Sequence, residues 1–466
     1  LLAAVWVAAI PFLGKYVIAG MSLFLALFVT SNYLVVSAMV CCILIFVFPL
    51  MLLGTVTPSL TRYTIKNLNE SGKVVGSLGA LNTIGSIIGT FLPTFVTIPS
   101  VGTALTFIIF ASILLALSLT YFISKWIDDH KGHKKLAVKE LVKSSVSTVL
   151  FVAFTLCGYN SSFAFWDTTL LYEGESVYNY LRVYEDDEAI YFSTNVLFGI
   201  QSTHFKNPGL HHAYYDYALL APYMTGMDPD TSLDVLVLGL GTGTYPTELL
   251  TYFDNVTIDG VEIDAKIIEL AYEYFELPEA VNAIEADGRN FLVSGEGKDK
   301  TYDIILCDAY QDISIPFQMA SVEFFTIAKE HLNENGVLMV NMNMYSDEPG
   351  SINQYLGDTV ATLFSELHSI RVGSNRVLFA SNEPDMLTTM NAKLAEEDDV
   401  VLRYFLNGVK NQLQPYTPGN LILTDDKAPV EMLSMKVIDV MIQEEMDYYR
   451  QLIKEHGIIW FLKEFI

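Results

Sequence analysis

Long apolar runs in the first third of the chain restrict how this sequence can fold. Four of these runs carry no charged residue, and they cover residues 34–57, 74–98, 103–124 and 144–165. A helix needs about 20 apolar residues to cross a hydrocarbon core of about 30 Å. Residues 1–31 are also apolar but contain Pro11, Gly14 and Lys15. This pattern indicates one helix that is truncated at its N-terminus and a second, short helix.

These runs predict an α-helical multispan membrane domain over residues 1–166, with about five or six spans. The four uncharged runs offer no ion or proton relay, so we interpret the domain as an anchor rather than a transporter. The sequence begins at Leu1, inside an apolar run and without an initiator Met. We therefore expect that N-terminal helices of the natural protein are missing from it.

The charge of the chain changes sign at about residue 158. Residues 1–158 contain 10 Lys+Arg and 4 Asp+Glu, a charge of +6; residues 159–466 contain 17 and 49, a charge of −32, which gives the formal total of −26. An acidic soluble part repels phosphates, which argues against nucleic acid as a partner and permits a cationic ligand. The four cysteines lie in apolar runs without metal-ligand spacing, and we predict no disulfide framework and no metal site.

A strand–turn–helix–strand pattern predicts a nucleotide-binding unit in the soluble part. Residues 235–238 resemble a buried strand, and the glycine turn at residues 239–243 follows directly. A helix at residues 246–253 and a second strand at residues 256–261 come next, with Glu262 at the tip of that strand. Glycines let a ligand approach the backbone, and an acid at this position accepts hydrogen bonds from ribose hydroxyls. An ordinary tight βα turn is the alternative interpretation.

Strands and helices continue to alternate after this unit. The predicted further strands are residues 281–285, 302–307, 336–341 and 377–380, and the predicted helices are residues 265–275 and 322–332. This order predicts a mostly parallel, doubly wound sheet, in which ligands bind beyond the carboxyl ends of the strands. Glu262, Asp287 and Asp308 each follow a predicted strand, so we expect them to form one site.

A smaller region precedes this sheet. Residues 172–198 alternate and are rich in aromatic and β-branched residues, which predicts short antiparallel strands. We therefore expect three parts: the membrane domain over residues 1–166, a small β-strand region that gates the substrate over residues 167–222, and an α/β domain over residues 223–466.

The soluble part resembles the aminopropyltransferases, the spermidine synthase family, over about residues 172–433. The motifs that carry the resemblance are Glu-Ser-Val-Tyr at 175–178, Gln-Ser at 201–202, Tyr-Tyr-Asp at 214–216, Leu-Gly-Leu-Gly-Thr-Gly at 238–243, Val-Glu-Ile-Asp at 261–264, Ala-Asp-Gly-Arg at 286–289, Asp-Ala-Tyr at 308–310 and Leu-Thr-Asp-Asp-Lys-Ala-Pro-Val-Glu at 423–431. Residues 54–58 and 76–89 extend it to a bacterial branch in which a multispan membrane domain precedes the enzyme. The resemblance implies a Rossmann-like fold of the class I S-adenosylmethionine methyltransferase type.

Members of this family transfer an aminopropyl group from decarboxylated S-adenosylmethionine to a diamine such as putrescine. The resemblance implies that Asp308 orients and deprotonates the attacking amine; a loop acid that caps the following segment is the alternative. The implied substrate-binding residues are Gln201, Tyr214, Asp216, Tyr310 and Asp312. The implied nucleoside-binding residues are Gly239, Gly241, Gly243, Glu262, Asp287 and Gly288. Among them, Glu262 would hold the ribose hydroxyls and Asp287 the adenine amino group.

Two departures from the family concern the amine pocket. The glycine turn of spermidine synthases usually carries an Asp that binds the amine end of the donor, and this chain has Thr242 there. The second acid of the catalytic loop usually follows the first by three residues, whereas Asp312 follows Asp308 by four. The pocket is thus short of one carboxylate, which bears on the polyamine substrate more than on the nucleoside site.

Three functions are compatible with these patterns. The first is aminopropyl transfer to a diamine, the second is S-adenosylmethionine-dependent methyl transfer, and the third is a non-enzymatic membrane polyamine sensor or transport-linked module. The expected partners are a small diamine, an adenosyl sulfonium that is not tightly bound, and the lipid bilayer; a homodimer is compatible with them. We expect a multi-pass protein of the cell membrane whose soluble domain faces the cytoplasm, where the donor is made.

Overall fold

The structure is a computed structural model. It describes residues 1–26, 28–29, 32–65, 71–132, 134–159, 161–165, 167, 169–195, 199–225, 232–310, 314–342, 346, 348–457 and 460. The chain divides into two compact units. The first unit comprises Leu1–Thr168, Glu173–Tyr178 and Met441–Ile466, and the second comprises Thr169–Tyr172 and Asn179–Val440. The domain boundaries after residues 166 and 222 stay predictions.

Long apolar helices make up most of the first unit. They are α1 (Leu2–Ala26), α2 (Tyr33–Gly54), α3 (Val56–Thr64), α4 (Ser71–Leu92), α5 (Ile98–Gly132) and α6 (Lys134–Tyr159). Over the described ranges, four helical segments are long and apolar enough to cross a membrane, namely Leu2–Ala26, Tyr33–Thr64, Ser71–Ser124 and Leu141–Tyr159. The predicted apolar runs fall largely within these segments.

The third of these segments bends at Gly102. It is 54 residues long, and Gly102 has a φ of 79° within α5. A residue with a side chain rarely adopts this backbone conformation. The backbone N–H of Thr103 donates a hydrogen bond to the carboxylate of Glu175, which satisfies a donor that the helix cannot pair after the bend. The segment therefore has room for the two runs at residues 74–98 and 103–124.

The first helix differs from the prediction. Residues 1–31 were expected to form a cut helix plus a short one, but α1 continues through Pro11. Ala4 and Ala8 are fully buried and pack with Ala111 of α5. Close packing of small side chains stabilises a helix that lacks the hydrogen bond lost at a proline. The prediction failed because this packing partner is distant in sequence.

The lysine of α1 is also accommodated within the first unit. Lys15 is buried, and its Nζ donates a hydrogen bond to the carbonyl oxygen of Ser162 at 2.7 Å. The same Nζ lies 5.2 Å from the ring centroid of Tyr16 and 5.3 Å from that of Phe165. Aromatic faces and a carbonyl together attract an ammonium group, which explains why Lys15 does not end the helix.

A small antiparallel sheet follows the helices, as predicted. Its strands are β1 (Leu170–Glu175), β2 (Tyr180–Glu185), β3 (Ala189–Thr194) and β4 (Ser202–Phe205), arranged in the order β1-β2-β3-β4. The register places Val183 opposite Phe192 and Tyr191 opposite Thr203. Two short helices, α7 (Tyr214–Ala218) and α8 (Ala221–Met224), connect this sheet to the larger one.

The second unit is built around a mixed sheet with the strand order β12-β10-β11-β9-β8-β5-β6-β7. Its strands are β5 (Leu233–Leu238), β6 (Val256–Glu262), β7 (Val281–Glu285), β8 (Tyr302–Cys307), β9 (Leu332–Met342), β10 (Glu366–Val372), β11 (Asn375–Ser381) and β12 (Gln414–Pro415). Its helices are α9 (Thr244–Tyr252), α10 (Ala265–Tyr274), α11 (Gly288–Val293), α12 (Val322–Glu330), α13 (Ile352–Ala361), α14 (Met386–Glu396), α15 (Val400–Lys410) and α16 (Val430–His456), the last of which extends into the first unit.

The core of this unit lies on both faces of the sheet. Successive side chains of a strand point to opposite faces, so a strand covered on both sides is apolar throughout. In β5, Val235 and Val237 belong to one buried apolar cluster, and Leu236 and Leu238 belong to the other. The predicted Rossmann-like fold is thus confirmed: β5, β6, β7, β8 and β9 run parallel between two helical layers.

The far edge of the sheet is antiparallel and contains strands that the sequence did not predict. Residues 377–380 fall in β11, as expected, but β11 pairs antiparallel with both β9 and β10. Gly373 joins β10 to β11 with a φ of 57°. A short hairpin carries a weaker periodicity signal than a strand–helix–strand unit, which explains why β10 was missed.

Candidate active site

The carboxyl ends of β5, β6 and β8 meet at one edge of the parallel sheet. Gly239 follows β5 with a φ of 90°, and a Cβ atom there would lie 2.5 Å from the carbonyl oxygen of Asp308. The backbone N–H of Asp308 in turn donates to the carbonyl oxygen of Leu238 at 2.8 Å. Because no side chain separates the two segments, the glycine turn lies directly against the loop that begins at Asp308.

Glu262, the last residue of β6, supports the glycine turn with its carboxylate. One oxygen accepts from the N–H of Gly241 at 2.9 Å, and the other accepts from the N–H of Asp264 at 3.2 Å. The side chain is buried, and this burial raises the pKa of Glu262, with nearby Asp264 adding to the rise and the backbone donors opposing it. Each carboxylate oxygen has a second acceptor position, so Glu262 can hold the turn and still accept from ribose hydroxyls.

Asp287 lies at the corresponding position after β7. Its Oδ1 accepts from the N–H of Asn290 at 2.8 Å and so caps the first turn of α11. A Cβ atom on Gly288 would lie 3.0 Å from Cε of Met319 and 3.5 Å from a methyl group of Leu238. Capping uses one oxygen of Asp287, which leaves the other available for an adenine amino group.

Asp308 is held by two side chains from distant parts of the chain. The hydroxyl of Tyr214, in α7, donates to Oδ2 of Asp308 at 2.5 Å, and Nδ2 of Asn341, in β9, donates to Oδ1 at 2.8 Å. Burial raises the pKa of Asp308 to about 6, an effect that Glu262 reinforces and that these two hydrogen bonds oppose. Such a carboxylate is oriented and can take up a proton near neutral pH.

The other predicted substrate-binding residues have structural partners. The hydroxyl of Tyr310 donates to the carbonyl oxygen of Asn341, which places it beside the Asp308 network. Oε1 of Gln201 accepts from the N–H of Thr194 at 2.9 Å, at the end of β3. Asp312 lies outside the described residues.

Asp216 bonds to the loop that precedes α7 rather than to the Asp308 network. Its Oδ2 accepts from the N–H of His211 at 2.9 Å and from the N–H of Ala213 at 2.8 Å. The side chain is fully buried, and this burial raises the pKa of Asp216. Because both bonds fix the chain just before Tyr214, Asp216 positions the tyrosine that holds Asp308.

Known proteins are similar in sequence to this part of the chain. The family description "Spermine/spermidine synthase domain" matches residues 222–367. A relative named "Probable polyamine aminopropyl transferase", from Bifidobacterium longum (strain NCC 2705), is 44% identical over 334 residues, and the match covers 67% of this chain and 73% of that protein. The chain belongs to the polyamine aminopropyltransferase family.

A second family member is more distant. The polyamine aminopropyltransferase of Vibrio vulnificus (strain CMCP6) is 25% identical over 281 residues, and the match covers 58% of this chain and 88% of that protein. A solved spermidine synthase in complex with the transition-state analogue AdoDATO is 18% identical, covers 52% of this chain and 88% of its own, and superimposes with a TM-score of 0.43.

Asn341 is a residue of this candidate site that the sequence did not predict. It is 3% exposed and its amide donates directly to Asp308. The available signal was an amide within the apolar run of β9, close to the carboxyl end of the strand. A buried polar side chain in such a run needs a partner, and the end of the neighbouring strand β8 supplies one.

Two motifs of the family resemblance meet at an ion pair that does not include Asp308. Arg289 donates to Asp425 through both terminal nitrogens, from Nη1 to Oδ1 at 2.8 Å and from Nη2 to Oδ2 at 2.7 Å. The guanidinium lowers the pKa of Asp425 to about 2, and Ser321, which donates to the same carboxylate at 2.5 Å, adds to this effect. This pair ties the turn after Asp287 to residues 423–431.

With Asp308 predicted to act as the general base, we expect kcat/KM to fall below about pH 6, because the carboxylate must be ionised and its pKa is raised to about 6. The hydrogen bond from Asn341 stabilises the ionised form of Asp308, so Asn341→Ala should raise the pKa of Asp308. The fall in kcat/KM at low pH should then begin at a higher pH. A matched control is Asn333→Ala, which removes an amide from β9 that donates to Asp303 instead. If the pH dependence of kcat/KM in Asn341→Ala were the same as in the wild type, Asp308 would not be the group that titrates in this profile.

Proposed function

We propose that this chain is a membrane-anchored enzyme that transfers the aminopropyl group of decarboxylated S-adenosylmethionine to a diamine such as putrescine. The observation that carries the proposal is the buried Asp308 carboxylate, which Tyr214 and Asn341 hold beside the glycine turn. Membership of the aminopropyltransferase family supports the donor class, and the acidic soluble part supports a cationic acceptor.

The reaction is a single displacement in which atoms and charge balance. The lone pair of the acceptor nitrogen forms a bond to the carbon beside the sulfonium, and the carbon–sulfur bond breaks with its electrons left on sulfur. The donor leaves as a neutral thioether, and the proton of the amine passes to Asp308. Amines are mostly protonated near neutral pH, so a base with a pKa near neutrality is suited to this step, and positioning of the two reactants lowers the barrier further.

The other residues of the site orient the donor. In this proposal Glu262 accepts hydrogen bonds from the ribose hydroxyls, and Asp287 accepts one from the adenine amino group. The bare backbone of the glycine turn lets the nucleoside approach the sheet edge, while Tyr214 and Tyr310 limit the space around the attacking amine. None of these roles needs a metal or a tightly bound cofactor.

Incubation with each donor tests the proposal. Purified protein would be given putrescine with either decarboxylated S-adenosylmethionine or S-adenosylmethionine, and the products identified by mass spectrometry. We expect an aminopropylated diamine with the decarboxylated donor only. Methylated putrescine would favour methyl transfer, which Thr242 supports as a second candidate because it lacks the carboxylate of the family. Nucleoside binding without any product would favour the sensor or transport-linked function.

We propose further that the first unit anchors the enzyme in the cell membrane, with the catalytic part on the cytoplasmic side. The apolar helices support the anchor, and the cytoplasmic origin of the donor supports the side. The basic residues argue for the opposite side: Lys and Arg are concentrated at residues 62–73 and 125–143. If both loops are cytoplasmic and α6 crosses the membrane, the chain that follows α6 emerges outside.

Cysteine accessibility decides between these two arguments. Asp299 is exposed on the second unit, and Lys139 is exposed in the basic region before the span Leu141–Tyr159. Single cysteines would be introduced at either position after replacing Cys42 and Cys157, the exposed native thiols; Cys41 and Cys307 are buried. We expect a membrane-impermeant reagent to label neither in intact cells and both after permeabilisation. Labelling of Asp299→Cys alone in intact cells would place the catalytic part outside.

A further inference from the structure

A cavity of about 300 Å³ lies between β4 and α9, within the second unit. Its walls come from β4 and the loop that follows it, from α9, and from residues 275–276 after α10. None of the residues that form the hydrogen-bond network of the base lines it, namely Tyr214, Asn341 and Asp308 itself. The cavity is therefore separate from the candidate active site, and no step of the proposed reaction uses it.

Glu248 brings an unpaired carboxylate to this cavity. It lines the cavity from the second turn of α9, and no other described residue forms a hydrogen bond or an ion pair with it. The side chain is only partly buried, and its carboxylate is not sealed from solvent. Partial burial of an acid without a partner is unfavourable. A ligand that reaches Glu248 from the cavity would offset this cost.

The charges around Glu248 favour a cation as that ligand. Burial raises the pKa of Glu248 to about 7, and the neighbouring Asp216 raises it further. Asp216 is fully buried, and within the described part of the chain its Oδ1 has no hydrogen-bond partner either. The lysine of the lining, Lys206, is engaged elsewhere, because its Nζ donates to the carboxylate of Glu185 at 2.6 Å. A cation beside Glu248 would favour the ionised form of the acid.

The lining favours an organic ammonium ion over a metal ion. Within the described ranges, no group of three or more His, Cys, Asp or Glu side chains could hold a metal ion. The aromatic side chains of Phe205, Tyr252 and Phe275 line the cavity together with Glu248. Aromatic rings attract an ammonium group and also cover the methylene groups that carry it. A carboxylate beside aromatic rings therefore suits an alkyl ammonium ion.

We propose that this cavity is a second binding site, for a small aliphatic amine such as a diamine, and that Glu248 holds the ammonium group. The hydroxyls of Thr203 and Thr244 line the cavity, are partly exposed and have no hydrogen-bond partner among the described residues, so they can accept from the same group. Thr244 lies one turn before Glu248 on the same face of α9. About 300 Å³ is the lower end of the range for small-molecule sites, which fits a short chain.

Equilibrium dialysis of the full chain against labelled putrescine tests the site. Glu248→Gln should weaken putrescine binding in the cavity by about 10- to 100-fold, as expected for a lost hydrogen bond to a charged group. The acceptor site proposed beside Asp308 would add a second bound putrescine, which this variant leaves in place. Glu279→Gln changes an exposed acid outside the cavity and should bind putrescine as the wild type does. Neutral 1,4-butanediol, which has the same chain length, should not compete for the cavity.

A second variant and a second ligand separate binding from folding. Thr203→Phe fills the cavity from β4 without a change of charge, and it should also weaken putrescine binding. Both variants should bind the thioether product with wild-type affinity, because none of the residues predicted to bind the nucleoside lines the cavity.

The pH dependence of binding provides a further readout. Wild-type affinity of the cavity for putrescine should fall as the pH drops below about 7, because Glu248 is then protonated. Glu248→Gln should lose most of this dependence. Besides Asp216 and Lys206, the titratable groups that face the cavity are His204, His211, Tyr215, Tyr252 and Glu276. The two histidines would repel the amine when protonated, and the dependence that remains in Glu248→Gln measures their contribution.

Three results would overturn the second site. They are equal putrescine binding by Glu248→Gln and the wild type, competition by 1,4-butanediol, and displacement of putrescine from the cavity by an equal concentration of Mg²⁺. The site does not depend on the proposed transfer reaction. If putrescine binds at Glu248 but no aminopropylated product forms, the proposed function fails and the site stands. If the product forms and Glu248→Gln binds putrescine normally, the site fails and the proposed function stands.

Discussion

Asp308→Asn should fold, bind the nucleoside with unchanged affinity and lose about 10²- to 10⁴-fold in turnover, the range typical of a lost general base. The amide is nearly isosteric with the carboxylate and fits the same partners. The amide oxygen can accept from Nδ2 of Asn341, as the carboxylate does. The amide nitrogen can donate to the hydroxyl of Tyr214, which then acts as the acceptor instead of the donor. What the amide cannot do is accept the proton of the attacking amine.

The measurement is steady-state turnover at saturating donor and acceptor, alongside calorimetry with the thioether product. Asp303→Asn is a suitable control, because it changes a buried acid of β8, the strand that precedes Asp308, and Asp303 accepts from the N–H of Asp234 and from Asn333. Near-normal turnover in Asp308→Asn would count decisively against its assignment as the base. Loss of nucleoside binding together with turnover would instead indicate a structural role in the loop.

The second large effect is expected at the nucleoside site. Glu262→Ala and Asp287→Ala should each weaken binding of the adenosyl sulfonium and of its thioether product by about 1–3 kcal/mol, the cost of a hydrogen bond to a charged acceptor. Glu262→Ala should have the larger effect, because it also leaves the N–H groups of Gly241 and Asp264 without their acceptor. Calorimetry with the thioether product measures both changes.

Amide variants separate ligand binding from support of the backbone. Asp287→Asn keeps an oxygen that can cap α11 at Asn290, so its helix should remain intact while the acceptor for adenine is weakened. Glu262→Gln keeps one acceptor for the glycine turn. If both alanine variants bound the thioether with wild-type affinity, the interpretation of this edge as a nucleoside site would have no support.

The sequence predicted the parallel part of the fold because that part depends on local patterns. A buried strand, a glycine turn and an amphipathic helix each leave a periodic signal within about ten to fifteen residues. The rim acids could be predicted for the same reason: Glu262, Asp287 and Asp308 each follow a strand end, and parallel strands bring those ends together.

The partners of these acids could not be predicted, since they come from contacts distant in sequence. Asn341 reaches Asp308 across 33 positions and Tyr214 reaches it across 94. The place of Asp216 in the amine pocket stays a prediction; the motif gave no sign that two backbone donors of its own loop engage its Oδ2. Motif position therefore indicated which residues matter near the site without indicating what each side chain contacts.

The bidentate ion pair between Arg289 and Asp425 limits how short a catalytically active fragment of the chain can be. The region matched by the family description ends at residue 367, and Asp425 lies well beyond it, while Tyr214 lies before its start. A fragment limited to residues 222–367 would leave the guanidinium of Arg289 without its carboxylate, two positions from the acid assigned to adenine. It would also leave Asp308 without the tyrosine hydroxyl. An autonomous catalytic fragment has to extend from α7 at least to the turn after Asp425.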